Sequence, residues 1–231
     1  MREIVLDTET TGLDPAKGHR VVEIGAVEIA NLIPTGRVFH VYVDPERDMP
    51  EEAFRVHGLS QAFLSGQKKF REIVRDLLEF LEDSPLVIHN AEFDTRFLNA
   101  EFALLELPSL DIGRIVDTLA LARRRHPGAS NSLDALCQRY GVDASRREKH
   151  GALLDAGLLA EVYAELMGGR QAALSLQTAS ARRRETRGDL LRQRPAPLAS
   201  RLAQEEDEAH RAFVAGLGKA PIWERYPKSG Q

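Results

Sequence analysis

Two short runs of purely apolar residues, Ile4-Val5-Leu6 and Leu86-Val87-Ile88, lead directly into acidic segments. A run of this length with no polar alternation reads as a strand covered on both faces. Asp7 and Glu9 follow the first run two positions apart, so on a continuing strand both project from one face. The second run opens into His89-Asn90-Ala91-Glu92-Phe93-Asp94, and a third acidic segment, His150-Gly151-Ala152-Leu153-Leu154-Asp155, lies farther along. Carboxylates brought about 4 Å apart at such strand ends repel by about 4 kcal/mol per pair at an effective dielectric near 20. A fold that gathers these acids therefore gathers cations with them.

The rest of the first half alternates between strand and helix patterns. Val21 to Ile29 and Val38 to Val43 predict strands two and three, with Pro34, Thr35 and Gly36 as the turn between them and an antiparallel meander as the result. Phe70, Ile73, Val74, Leu77, Leu78 and Leu81 recur at three and four and predict a helix lying on the sheet. Phe93, Phe97, Leu98 and Phe102 mark the helix after the second apolar run, with Asp94 in its first turn. Ile115-Val116-Asp117 is the expected last strand, followed by short helices around Thr118 to Arg125 and Ser132 to Tyr140, and Leu153 to Met167 closes the domain as an apolar helix. The expected class is α/β: a mixed sheet of about five strands, the first three antiparallel, flanked by helices.

Beyond residue 176 the character changes. Residues 177–200 are rich in arginine and poor in large apolar side chains, which predicts a flexible basic linker. Residues 201–231 regain Leu202, Phe213, Val214, Leu217, Ile222, Trp223 and Tyr226 among acids. A segment of that size cannot bury such a set by itself, so it is expected to meet a partner. The expected division is thus 1–176, 177–200 and 201–231.

No apolar run reaches the roughly 20 residues that a membrane span requires, and Arg2 and Glu3 stand directly before a strand, so a cytoplasmic protein with no membrane partner is expected. Cys137 is the single cysteine, which rules out an intrachain disulfide, and its helical spacing with Leu133, Leu136 and Tyr140 predicts a buried thiol. The formal charge of −4 argues against gripping nucleic acid by bulk electrostatics. It leaves open an enzyme that holds a few nucleotides through metal ions.

Oxygen ligands alone favour Mg2+ or Mn2+ over zinc. Two such ions make a clamp for an in-line phosphoryl displacement, one on the attacking and one on the leaving oxygen. His150, five residues before Asp155, falls on the loop entering the last helix, and an ordinary imidazole near pH 6.5 serves as a neutral base around pH 7. Asn90 ends its strand within reach of the proposed ions. His57-Gly58 fits a capped helix end as well as a site, and His19, His40, His89, His126 and His210 are assigned structural roles.

The three acidic segments resemble the three motifs of the DEDD exonucleases, in the subclass whose third motif is His-x-x-x-x-Asp. Asn131 to Cys137 and His150 to Ala156 are, further, similar to the proofreading (epsilon) subunits of bacterial replicative polymerases, across residues 1 to about 170. The resemblance implies a ribonuclease H-like sheet and 3'-5' hydrolysis of DNA ends to 5'-mononucleotides. It implies Asp7, Glu9, Asp94 and Asp155 as ligands of two divalent cations, Asp7 bridging them, and His150 as the general base. Thr10, Gly12, Leu13, His57 and Phe93 would line the terminal-nucleotide pocket, with Asn90 beside the scissile phosphate. Gln171, Leu174 and Leu176 resemble a sliding-clamp peptide. The segment holding Phe213, Leu217 and Trp223 resembles one that docks on the polymerase's catalytic (alpha) subunit, and a small accessory subunit on the nuclease domain is a further partner of this type.

Two other readings compete. One is an RNA 3'-end trimming enzyme of the same superfamily, since contacts to a 2'-hydroxyl are not legible in sequence. The other is a binding module that mainly stabilises a polymerase assembly.

Overall fold

The first apolar run forms the centre of the sheet. In the computed structural model, which describes residues 1–145, 149–168 and 203–217, the strands are β1 (Arg2–Thr10), β2 (Val21–Ala30), β3 (Ile33–Asp44), β4 (Lys68–Lys69), β5 (Leu86–Ile88) and β6 (Ile115–Asp117). Their order across the sheet is β4-β3-β2-β1-β5-β6. β1, β2 and β3 pair antiparallel, whereas β5 lies parallel to β1 and β6 parallel to β5. The mixed α/β sheet is as expected, with one strand more than the sequence suggests. β4 is two lysines paired to Val43 and Asp44, and so short a polar strand has no sequence pattern of its own.

The turn between β2 and β3 also differs from expectation. It falls at Asn31 and Leu32, both left-handed with φ of 51° and 68°, a two-residue connection that matches the twist of a hairpin. Pro34, Thr35 and Gly36 lie within β3 instead. Proline is tolerated here because β4 pairs only with Val43 and Asp44 and leaves this end of β3 as an edge, and a register shift opposite Val27 to Ile29 accommodates the extra residues. Thr35 Oγ1 donates to Glu28 Oε1 at 2.8 Å and Arg37 Nη1 to Glu28 Oε2 at 2.9 Å, so the irregular stretch pairs a buried carboxylate.

The helices of the first unit are α1 (Glu51–His57), α2 (Gln61–Leu64), α3 (Phe70–Leu81), α4 (Ala91–Leu104), α5 (Thr118–Arg125), α6 (Leu133–Tyr140) and α7 (Ala152–Leu166). Phe70, Ile73, Leu77 and Leu81 of α3 and Phe97, Leu98 and Phe102 of α4 bury themselves against Ile4 and Leu6 on one face of the sheet. Ala156, Leu159, Ala160 and Tyr163 of α7 cover Val5, Val27 and Val87 on the other. β2 is consequently buried along nearly its whole length. α5 and α6 pack behind α7 through Ala122, Leu136 and the buried Cys137.

The chain divides into two units, Met1–Leu174 and Ser175–Gln231. Within the second, α8 (Gln204–Gly216) bears exposed Phe213, and Leu217 at its end is exposed too. Gln171, Leu174, Leu176, Trp223 and the basic stretch 177–200 lie outside the described residues. Among the described residues, no helix is long and apolar enough to cross a membrane.

Candidate active site

Alternation along β1 sorts its last residues between the two faces. Ile4 and Leu6 pack on the α3/α4 side and Val5 on the α7 side, so Asp7 and Glu9 project towards α7 and Thr8 towards α4. Thr8 meets Asp94 there: its N–H and its hydroxyl both donate to Asp94 Oδ1, at 3.0 and 2.7 Å. Asp94 sits in the first turn of α4 and is almost fully buried. Burial pushes its carboxyl up to about 7, against the opposing pull of the Thr8 hydrogen bonds.

The α7 side is built by a close approach. Gly25 is the register partner of Asp7, and a Cβ placed on it would lie 2.1 Å from Leu153 N and 2.2 Å from the Ala152 carbonyl carbon. The backbone of the α7 start therefore rests directly on β2 beside Asp7. Asp155 follows in that first turn, buried, with its Oδ2 3.3 Å from His150 Nδ1. His150 itself is about half exposed.

α1 supports the loop that carries His150. His150 N–H donates to Val56 O at 3.4 Å, and Lys149 Nζ lies 5.4 Å from the Phe54 ring centre. α1 ends at Gly58, left-handed at φ 76°, where a side chain would collide with that of Lys149. His57 is buried beside this junction. Burial pushes its imidazole below the ordinary range against a bond to the Thr10 backbone, and the nearby Lys149 and His150 lower it further.

Asp7, Glu9, Asp94, Asp155 and His150 thus meet in the walls of one cavity of about 300 Å3, with Asn90, Phe93 and Asp134 also in its lining. The residues suit divalent cations. One ligand atom each from Glu9, His150 and Asp155 lies within 4.8 Å of the others. Thr8 occupies Asp94 Oδ1 and leaves Oδ2 for a cation, which would relieve the burial cost of the charged carboxylate.

Four expected substrate residues, Thr10, Gly12, Leu13 and His57, are outside that lining and belong to the end of β1, the loop after it and α1. Thr10 Oγ1 donates to Gly12 O at 2.6 Å, Arg96 Nη2 donates to Leu13 O at 3.2 Å, and the Leu13 side chain is exposed. The His19 ring fills the space where a Gly12 side chain would stand, and its Nδ1 bonds Thr11 Oγ1 at 3.1 Å. Asn90 is left-handed at φ 62°, with its N–H on Asp117 Oδ1 at 3.2 Å. The same oxygen accepts from Leu119 N at 2.9 Å and caps α5.

Thr8, Gly25, Asp117 and Asp134 are the contributors that sequence reasoning leaves out. An isolated glycine inside a strand pattern signals close backbone approach, and an Asp at the start of a helix signals a cap, so Gly25 and Asp117 had usable signals. Thr8 had none beyond its place between two acids.

Residues 4–163 match the exonuclease family. The chain is 56% identical over 184 residues to the DNA polymerase III subunit epsilon of Rickettsia conorii, covering 78% of this chain and 80% of that protein. It is 48% identical to the same subunit of Rickettsia felis, covering 95% and 98%. To the subunit of Escherichia coli K12 it is 43% identical, covering 96% and 97%. Among solved structures, exonuclease X in complex with 5' overhanging duplex DNA superposes with a TM-score of 0.56 at 26% identity, covering 71% of this chain and 90% of that one. The nuclease domain of 3'hExo, a DEDDh family member bound to rAMP, shares the fold with a TM-score of 0.63 at 16% identity, covering 72% and 91%. With the family match spanning most of the described residues and two of these relatives matching nearly end to end, the chain belongs to the exonuclease family and, within it, to the epsilon subunits of DNA polymerase III.

Proposed function

We propose that this chain proofreads for its polymerase, removing 5'-mononucleotides from frayed DNA 3' ends by metal-dependent hydrolysis. The observation that carries the reading is the meeting of four carboxylates and His150, drawn from β1, α4, α7 and the loop before it, in one cavity. Asp7, Glu9, Asp94 and Asp155 would hold two divalent cations, Mg2+ or Mn2+. Bound there, the cations supply charge for the attacking and leaving oxygens of an in-line displacement.

The protein's own groups do the rest. His150 takes the proton of the attacking water, and Asp155 beside Nδ1 favours the tautomer whose Nε2 is basic. Thr8 fixes the rotamer of Asp94. Asn90 contacts the scissile phosphate, while Phe93 and the Thr10, Gly12, Leu13 and His57 surface receive the terminal nucleoside. A mismatched end unpairs more readily and so reaches such a site more often.

The tail supplies the partners. Phe213 and Leu217, exposed on α8 and at its end, together with Trp223, dock on the polymerase alpha subunit; Gln171, Leu174 and Leu176 engage a sliding clamp, and a small accessory subunit binds the nuclease domain. Such a tether places the nuclease near the primer end at an effective concentration on the order of millimolar, in the cytoplasm. The division is a nuclease domain over 1–176, a linker over 177–200 and a polymerase-binding segment over 201–231. Deleting 178–231 is expected to keep hydrolysis and abolish alpha binding.

Side-by-side digestion of 3'-labelled single-stranded DNA and its RNA counterpart, with Mg2+, Mn2+ or chelator, tests the activity. The expected result is metal-dependent release of mononucleotides from DNA. Marked preference for RNA would make this a 3'-end trimming enzyme, and no cleavage of either would make it a binding subunit.

A further inference from the structure

A second cavity, of about 560 Å3, adjoins the catalytic one between α5 and the start of α6. His89, Asn90 and Ser132 line both, so the two share a wall. Their chemistry is opposite. The catalytic cavity has five carboxylates in its lining, Asp7, Glu9, Asp94, Asp134 and Asp155. Among the described residues the second has none, and its lining includes Arg123, the one arginine or lysine among the described residues of either lining.

Building on the hydrolysis proposed above, we infer that this second cavity takes the phosphodiester one position 5' of the scissile bond, with the Arg123 guanidinium as its cationic partner. The 3'-terminal nucleotide leaves as the 5'-monophosphate, so the remaining strand lies on the leaving-group side of the scissile phosphate. Its next phosphate calls for a cation, and among the described residues the carboxylate-lined cleft has no arginine or lysine. The volume falls in the range of sites that hold small ligands.

Neighbouring contacts leave Arg123 for this work and keep the walls in place. Arg125 Nη1 donates to Leu166 O at 2.6 Å and Arg139 Nη2 to Ser130 O at 2.9 Å. Arg123 makes no hydrogen bond or ion pair among the described residues. Asn131, buried, donates from Nδ2 to Ala129 O at 2.9 Å and to His126 O at 3.2 Å and so fixes the α5–α6 loop. His89 Nδ1 lies 2.9 Å from Thr118 Oγ1. Burial holds the His89 ring below the ordinary range despite its bond to the Asn131 backbone and the charge of Asp117, and the Arg123 charge adds to the depression. Arg123 is the arginine or lysine that the described residues place in this wall.

A dinucleoside monophosphate has only the scissile phosphate, whereas a trinucleotide adds the second. Arg123→Ala is expected to lower kcat/KM on the trinucleotide about 10- to 100-fold, the effect of losing a charged hydrogen bond, and to leave the dinucleoside monophosphate within twofold. In chelator, it should weaken binding of a fluorescent tetranucleotide by a similar factor and reduce the salt slope by about 0.7, the value of one phosphate contact on a single strand. Replacing the second linkage with a neutral methylphosphonate should make wild type and Arg123→Ala equal. Equal losses on both substrates, an unchanged trinucleotide, or a persistent difference on the methylphosphonate would overturn the assignment. Failure of the wild type to cleave any of them would instead overturn the proposed hydrolysis.

Discussion

Gly25 and Leu153 are in backbone contact where the start of α7 rests on the sheet: a Cβ on Gly25 would stand 2.1 Å from Leu153 N. This contact sets the height of the α7 start over β1, and with it the position of Asp155 and His150 relative to Asp7. Gly25→Ala should therefore act at a distance. Overpacking here is expected to cost about 1–3 kcal/mol, and displacement of the site by about 1 Å to slow hydrolysis on the order of 100-fold. Thermal denaturation and single-turnover rates measure both, and a variant with wild-type stability and rate would show that the contact is not needed.

Thr8 is expected to act through Asp94 alone. Thr8→Val keeps the shape but removes the 2.7 Å hydroxyl bond, and should weaken divalent-cation binding about tenfold, while Thr8→Ser restores it. Calorimetric titration with Mn2+ checks this, and equal affinity in all three proteins would sever the link.

The raised carboxyl of Asp94 makes a statement about stability. Its value is 3.8 in the ordinary chain and about 7 in the fold, so between these the folded state holds a proton that the unfolded state has released. Metal-free protein should accordingly lose stability as pH rises from about 4 to about 7. Asp94→Asn should flatten that part of the profile, and Mg2+ should stabilise the wild type more at pH 7 than at pH 5. Parallel slopes for the wild type and Asp94→Asn in chelator would contradict the burial account.

His150→Ala should reduce the rate about 100- to 10,000-fold with cation binding largely retained. Unaltered turnover would remove His150 as the base.

Much of this was legible because pattern and burial agree. The apolar runs at Ile4 and Leu86 are buried on both faces, and the late apolar helix and the spacing from Phe70 to Leu81 bury the face their periodicity marks, except that Leu78, expected on that face, is exposed. The acids at the strand ends were legible for the same reason, since alternation puts Asp7 and Glu9 on one face. β4 was not, because two lysines become a strand only when Val43 and Asp44 pair with them. The hairpin turn was missed because Asn31 and Leu32 carry the positive φ while the proline and glycine after them serve a bulge. Asp117 joins Asn90 to the α5 cap through one oxygen, a relation between segments 27 residues apart that no local pattern encodes.

The four carboxylates are expected to hold the divalent cations with which this chain cuts DNA from its 3' end. Release of the labelled terminal mononucleotide from single-stranded DNA, followed across a Mg2+ titration for the wild type and Asp7→Ala, tests this expectation most directly. The wild-type rate is expected to rise with Mg2+ and to vanish in chelator, with no detectable release by Asp7→Ala at any concentration. Wild-type hydrolysis that survives chelator, or an Asp7→Ala variant that keeps its rate, would contradict it.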